Sequence, residues 1–252
     1  MKRTLFFIAA VALASSAFAQ QRWEPRNTEY YHNQPPIITP GEGTKPPSDA
    51  IILFDGKDLS AWESTRVDTV NRRRVNRPAE WEVKDGCFTV VRGKGDIQTK
   101  EVFGDCQLHI EWRAAVGSTG TGQGRSNSGV FMQSTYEVQV LDCYDNVTYS
   151  NGQTGSIYKQ TQPLVNACRK PGEWQTYDII YKAPVFNYKE ELVSPAYITV
   201  IHNGVVIQNH TEIKGDTPYV GLPKYVPHGR LPIKLQDHGD PVSFRNVWIR
   251  NL

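Results

Sequence analysis

Apolar and polar residues alternate in short runs along most of this chain, and no sustained 3.6-residue apolar period appears after the first twenty positions. The alternation predicts strands near residues 51–54, 81–84, 87–91, 107–115, 129–134, 136–142, 155–158, 174–182, 197–202, 205–208, 231–236 and 242–250. Asp85-Gly86 and Asn203-Gly204 each join two alternating runs, which predicts two-residue hairpin turns. Many short strands with turn signals, in a chain of 252 residues, predict an all-β fold: a sandwich or jelly roll of two antiparallel sheets. Neither an internal repeat nor a second composition regime is present, so one domain from residue 50 to 252 accounts for the pattern.

Three strands carry polar faces. In the first, Leu108, Ile110 and Trp112 share one side, with His109, Glu111 and Arg113 on the other. In the second, Ile233 and Leu235 oppose Lys234, Gln236 and His238. The third follows Asn127-Ser128-Gly129 and its strand. It puts Glu137 and Gln139 together, and one β-bulge after Gln139 brings Asp142 to the same face. One concave, polar surface built from these faces is the expectation.

The ends of the chain change the picture little. Lys2 and Arg3, the apolar run from Leu5 to Ala14, and Ala17-Phe18-Ala19 have the order of a secretory signal over residues 1–19. The expected location is periplasmic or extracellular. Residues 20–49 hold six prolines and read as an extended leader, with Trp23, Tyr30 and Tyr31 as anchors onto the domain. No later segment is long and apolar enough to span a bilayer. A net charge of +2 argues against nucleic acid as a partner, and the basic run Asn71 to Arg77 reads as a solvated loop. Export permits disulfides among Cys87, Cys106, Cys143 and Cys168. The most local pairing is Cys87–Cys106 with Cys143–Cys168, among three that four cysteines allow.

A histidine near its ordinary pKa is the natural proton carrier at neutral pH, and His238, beside Gln236, is the candidate base or acid. The other histidines read as structural or exposed. Arg245 alternates with Val247 and Ile249 and so needs a partner, either a carboxylate of the groove or a structural ion pair. Glu137-x-Gln139-x-x-Asp142 is similar to the bulged catalytic strand of laminarinase-like glucanases, but an amide stands where the middle carboxylate belongs. A two-carboxylate glycosidase needs carboxyl groups about 5–9.5 Å apart. Residues 137 and 142 lie on the order of 13–16 Å apart along a strand. The strand therefore suits a sugar-binding wall better than an ordinary hydrolase. Phosphate cradles, serine-hydrolase elbows and zinc-protease motifs are absent from the sequence.

The ordered motifs complete the reading. They are Leu53-Phe54-Asp55-Gly56-Lys57-Asp58-Leu59 with Trp62, then Trp81-Glu82-Val83, Asp96-Ile97-Gln98-Thr99 and Phe103-Gly104-Asp105. Asn127-Ser128-Gly129-Val130-Phe131, Tyr136 to Asp142, Gly155-Ser156-Ile157-Tyr158 and Glu173-Trp174-Gln175 follow. Asn203-Gly204, Leu235-Gln236-Asp237-His238-Gly239 and Phe244-Arg245-Asn246-Val247 close the set. From about Asp49 to Leu252 the chain resembles the 3-keto-disaccharide hydrolase domain family. The resemblance implies a concanavalin A-like jelly roll, secretion, and action on glycosides oxidised to a ketone at C3.

Such a ketone acidifies the C2 proton, so one base, donors for the enolate oxygen and an acid for the leaving group suffice. The expected roles are His238 and Glu137 in proton transfer, with Gln139, Asp142, Gln236, Asn127, Arg113 and Arg245 toward the sugar. A divalent cation on Glu137, Asp142 or His238 is the alternative to those donors. The competing readings are a non-catalytic carbohydrate-binding module and an ordinary glucanase. The oligomeric state is not legible in the sequence.

Overall fold

The structure is a computed structural model. It describes residues 23–29, 34–65 and 77–252, and the backbone of the strand pair 67–68 and 73–74. The expected signal at 1–19, Tyr30, Tyr31, His32 and most of the basic run lie outside the described residues. The chain divides into two units, residues 1–37 and 38–252. In the first, Pro25–Thr28 forms a 3-10 turn and Trp23 is exposed.

In chain order the strands are β1 Ile51–Phe54, β2 Trp62–Ser64, β3 Val67–Asp68, β4 Arg73–Arg74, β5 Arg77–Pro78 and β6 Glu82–Lys84. Then come β7 Cys87–Thr89, β8 Ile97–Thr99, β9 Cys106–Arg113, β10 Ser128–Met132, β11 Tyr136–Val140 and β12 Gln175–Lys182. The last are β13 Val185–Phe186, β14 Leu192–Ser194, β15 Tyr197–His202, β16 Val205–Glu212, β17 Lys234–Leu235 and β18 Ser243–Asn251. One sheet runs β16-β15-β12-β9-β18-β7-β6, with β1 also paired to β18. The other runs β11-β10-β17-β8-β2-β5. The ladders of both sheets are antiparallel, and their inner faces meet in one core, the jelly-roll sandwich that the alternation and the family resemblance imply.

Alternation explains which way each strand faces. Tyr177, Ile179 and Tyr181 of β12 and Ile198 and Val200 of β15 are fully buried between the sheets. Asp85-Gly86 and Asn203-Gly204 form the expected hairpin turns, each with both residues at positive φ. The strands not read from the sequence are two or three residues long (β2, β5, β8, β13 and β14 among them), too short to show a period. At one end of the core, Phe88 packs edge-on to Phe54 with centroids 4.7 Å apart, and stacks on Phe244 at 5.5 Å. Trp62, reaching over from the other sheet, lies 5.9 Å from the same ring.

The polar face of β9 is buried, yet not in a groove. It lies on the outer side of the eight-stranded sheet, beneath residues 38–49, the end of the Pro-rich segment. The Thr44 carbonyl accepts from Asn246 Nδ2 at 2.9 Å and Trp248 Nε1 at 3.1 Å, and Asp49 pairs with Arg250 at 2.7 Å. Under this roof His109 stacks on Trp248 and bonds Asp178 at 2.7 Å. Burial acts against the charge of Glu111, but bonds from His109, Asn246 and Arg245 outweigh it and hold the carboxyl down at about 2.

The expected Cys87–Cys106 bridge is ruled out. Phe88 faces Phe244 and Cys106 faces Asn251, seven residues along the same strand, a separation of roughly 20 Å. All four cysteines are thiols. Among the described residues, no helix is long and apolar enough to cross a membrane.

Candidate active site

Strand β11 divides its residues between two environments. Tyr136, Val138 and Val140 join the core, while Glu137 and Gln139 point to the other face of the six-stranded sheet. There a cavity of about 420 Å³ opens over β11, β10 and the residues after β17. In the ladder Phe131 stands opposite Glu137, and Gly129 opposite Gln139. Gly129 leaves the space that the Glu137 carboxyl occupies: a Cβ there would collide with that carboxyl and with the Phe131 ring. We expect Gly129→Ala to displace Glu137 and lower kcat about 10-fold or more, with the fold kept. Far-UV circular dichroism alongside kinetics checks this; unchanged kcat would refute the packing argument.

Glu137 is 5% exposed, and among the described residues no side chain hydrogen-bonds its carboxyl. Burial pushes it up to about 8; the nearby Lys234 ammonium pulls the other way, and Asp96 adds to the rise. Lys234 is itself held at 3.3 Å from Asp96 and 3.8 Å above the Phe131 ring. The carboxyl therefore keeps its proton at neutral pH.

The far wall is a tyrosine pair. The Tyr149 and Tyr158 hydroxyls are 2.7 Å apart, and burial raises both above the ordinary phenol range, with the Glu137 charge adding to it. Lys159 caps the wall, 4.1 Å over the Tyr149 ring and 5.0 Å from that of Tyr219. Tyr158 is placed by backbone: its N–H donates to the Glu137 carbonyl at 3.1 Å, and Ile157 bridges to Val138. Thr217 closes the next side, accepting from the Glu137 N–H at 3.3 Å.

The amide end is a linked cluster. Gln139 Nε2 donates to Asn127 Oδ1 at 3.1 Å and to Gln123 Oε1 at 3.2 Å, while Gln139 Oε1 is buried with no partner among the described residues. An unpartnered buried acceptor beside a cavity is disposed to receive a ligand hydroxyl. Gln236 follows β17, its N–H donating to the Gly129 carbonyl at 3.1 Å. His238 is exposed at the rim, on a turn that Asp237 fixes by accepting the Gly95 and Gly239 N–H groups at 2.9 and 3.0 Å.

The structure thus gathers Glu137, His238, Gln139, Gln236 and Asn127 around one cavity. It places three other expected residues elsewhere. Asp142 lies beyond the end of β11, 3% exposed and ion-paired to Arg125 at 2.7 Å. The β10–β11 ladder runs unbroken, so the bulge that would have turned Asp142 to the cavity is not there. Arg113 and Arg245 are on the outer face of the other sheet, both over the Trp174 ring, at 4.6 and 4.1 Å. Arg245 pairs with Glu111 at 2.6 Å, the structural ion pair and not a groove contact. A bulge in β18 between Arg245 and Trp248, with Asn246 at φ 44°, reverses the parity that simple alternation assigned to Arg245.

The sequence reading missed Gln123, Phe131, Tyr149, Tyr158, Thr217 and Tyr219. Most of these come from loops, where strand alternation has nothing to say. Among the described residues no group of three or more His, Cys, Asp or Glu side chains is disposed to hold a metal. Of the proposed cation ligands, Glu137 and His238 border the cavity, while Asp142 is held away from it by Arg125.

Residues 49–250 match the model of the 3-keto-alpha-glucoside-1,2-lyase-like domain family. The chain belongs to this family. A 3-keto-disaccharide hydrolase of Bacteroides thetaiotaomicron is 25% identical over 256 residues, 80% of this chain and 78% of the relative. A crystal structure of a Parabacteroides distasonis protein, provisionally assigned as a glycosyl hydrolase, is 55% identical with a TM-score of 0.84. It covers 91% of this chain and 97% of its own. A second P. distasonis structure with the same provisional assignment, at 22% identity and a TM-score of 0.57, shares the fold and covers 81% of this chain and 94% of its own.

Proposed function

We propose that this 3-keto-alpha-glucoside-1,2-lyase-like domain cleaves the glycosidic bond of 3-keto-glycosides by elimination and hydration. The name of the B. thetaiotaomicron relative supports the substrate class. The observation that carries the chemistry is Glu137, a buried carboxyl with no side-chain hydrogen bond among the described residues, raised to about 8, on the floor of the cavity.

In this reading His238 removes the C2 proton, and the electron pair passes to the C3 oxygen as an enolate. The Tyr149 and Tyr158 hydroxyls, too weakly acidic to lose their own protons at neutral pH, are the donors for that oxygen. The enolate collapses to restore the ketone, forms the C1–C2 double bond and breaks the bond from C1 to the glycosidic oxygen. Glu137, protonated at neutral pH, supplies the leaving group's proton. Water then adds at C1, and a proton returns to C2. Gln139, Asn127 and Gln236 hold sugar hydroxyls, the first through its unpartnered carbonyl oxygen. Export by residues 1–19 belongs to the same proposal.

The test is incubation with a 3-keto-glucoside and with the parent glucoside in heavy water. Cleavage of the keto sugar alone, with deuterium at C2 of the product, is expected. Equal cleavage of both, or a product without deuterium, rejects the elimination.

A further inference from the structure

Cys143 follows β11 by three residues, and Cys168 precedes β12 by seven. Between them runs the segment 144–167, which carries both Tyr149 and Tyr158 and has little regular structure of its own. Its two ends meet. The two thiols are close enough to influence each other's ionisation, Thr154 N–H donates to Cys143 Sγ at 3.3 Å, and Asn166 Nδ2 donates to the Cys143 carbonyl at 2.9 Å. Cys168 N–H in turn donates to Asn166 Oδ1 at 3.0 Å.

We propose that Cys143 and Cys168 close to a disulfide that staples segment 144–167, and with it the tyrosine wall of the cavity, to the sandwich. Closing the segment removes conformations from the unfolded chain and from local opening of the wall. The bond also adds a covalent link behind a wall otherwise held by hydrogen bonds and by Ile157 in the core.

The chemistry is thiol–disulfide exchange with a small-molecule disulfide as oxidant. Cys168 is half-buried and Cys143 only 1% exposed, so access puts the first exchange at Cys168; the neighbouring Cys143 sulfur and burial push the Cys168 thiol well up, which makes this the slow step. Its sulfur displaces one thiolate from the oxidant and forms a mixed disulfide. Cys143 sulfur then attacks the Cys168 sulfur and expels the second thiolate. Two thiols are oxidised, one external disulfide is reduced to two thiols, and the protons pass to those products. Cys143 suits the resolving step: in the mixed disulfide Cys168 has no S–H left to donate, but the Thr154 N–H bond that favours the Cys143 thiolate persists. The other two thiols do not compete. Burial pushes Cys106 up to about 12, and Cys87 lies far from it with its S–H on the Lys84 carbonyl.

The test needs the whole protein and no assay of the reaction, so its outcome stands apart from that of the proposed chemistry. Protein purified with reductant is equilibrated with oxidised glutathione, denatured, alkylated and mapped by mass spectrometry. A Cys143–Cys168 cross-linked peptide is expected, with Cys87 and Cys106 still alkylated. Oxidised wild type should melt about 5–10 °C above reduced wild type. Backbone amides of 144–167 should also exchange more slowly, and Cys168→Ser should show neither change. Four alkylated thiols, a bridge between other cysteines, or equal Tm and equal exchange in the two forms would overturn the proposal.

Discussion

Glu137→Gln is expected to lower kcat by about 10³-fold while leaving the protein folded. The amide keeps the shape and the bulk but carries no transferable proton. In wild type kcat/KM should fall as pH rises through about 8, because the acid loses its proton there. That limb should vanish in the variant. A wild-type profile that instead rises through pH 8 would make Glu137 the base and reverse the roles given to it and His238. Stability supplies an independent check. The folded-state pKa is raised above the unfolded value, so the folded state binds the proton more tightly. Its contribution is full below the unfolded value near 4.5 and is lost as pH rises toward and through 8. At pH 8 the amide is free of that loss, so the variant should melt no lower than wild type. Reduced activity with raised or equal Tm separates a lost proton donor from a damaged fold.

Phe88→Ala is expected to cost about 3–5 kcal/mol, and so to lower Tm by roughly 6–20 °C. Phe88 is fully buried and touches rings from both sheets, Phe54 and Phe244 on its own side and Trp62 from across the core. Removing it leaves a cavity between the short strands β1, β2 and β7 and the long strand β18, which is paired on both sides and has little freedom to collapse around it. Against a total stability of about 5–15 kcal/mol this is a large fraction. A urea denaturation midpoint within error of wild type would show that the aromatic cluster does not hold the sheets together.

Much of the sandwich was legible because half-buried strands write their orientation as a period of two. Leu108, Ile110 and Trp112 were assigned to the core from that alone, and so were Ile233 and Leu235. The limits were equally physical. A period says which residues share a face, but not which sheet the strand joins. The polar faces of β9 and β17 looked alike, yet one lies under residues 38–49 and the other borders the cavity. Bulges defeated the parity argument in both directions: one was expected after Gln139 and is absent, and one near Asn246 was unexpected and moved Arg245 outward. Of the tyrosines of the far wall, Tyr149 left no local signal, and Tyr158 stood in a motif that gave it no role. Their role depends on a loop returning to β11, a long-range contact that no short window of residues records.

That return has a second meaning. β11 is the last strand of its sheet, and an unpaired last strand is a template on which another chain can build. Here the backbone from Gly155 to Tyr158 occupies that margin, exchanging bonds with Glu137 and Gln139 at 2.8–3.1 Å. The same few bonds that keep neighbouring molecules from adding to the sheet also set the Tyr158 hydroxyl across from the Glu137 carboxyl. Protection of the sheet edge and the placing of Tyr158 therefore rest on the same bonds. A change that loosens the margin would expose the strand edge and shift the tyrosine wall together.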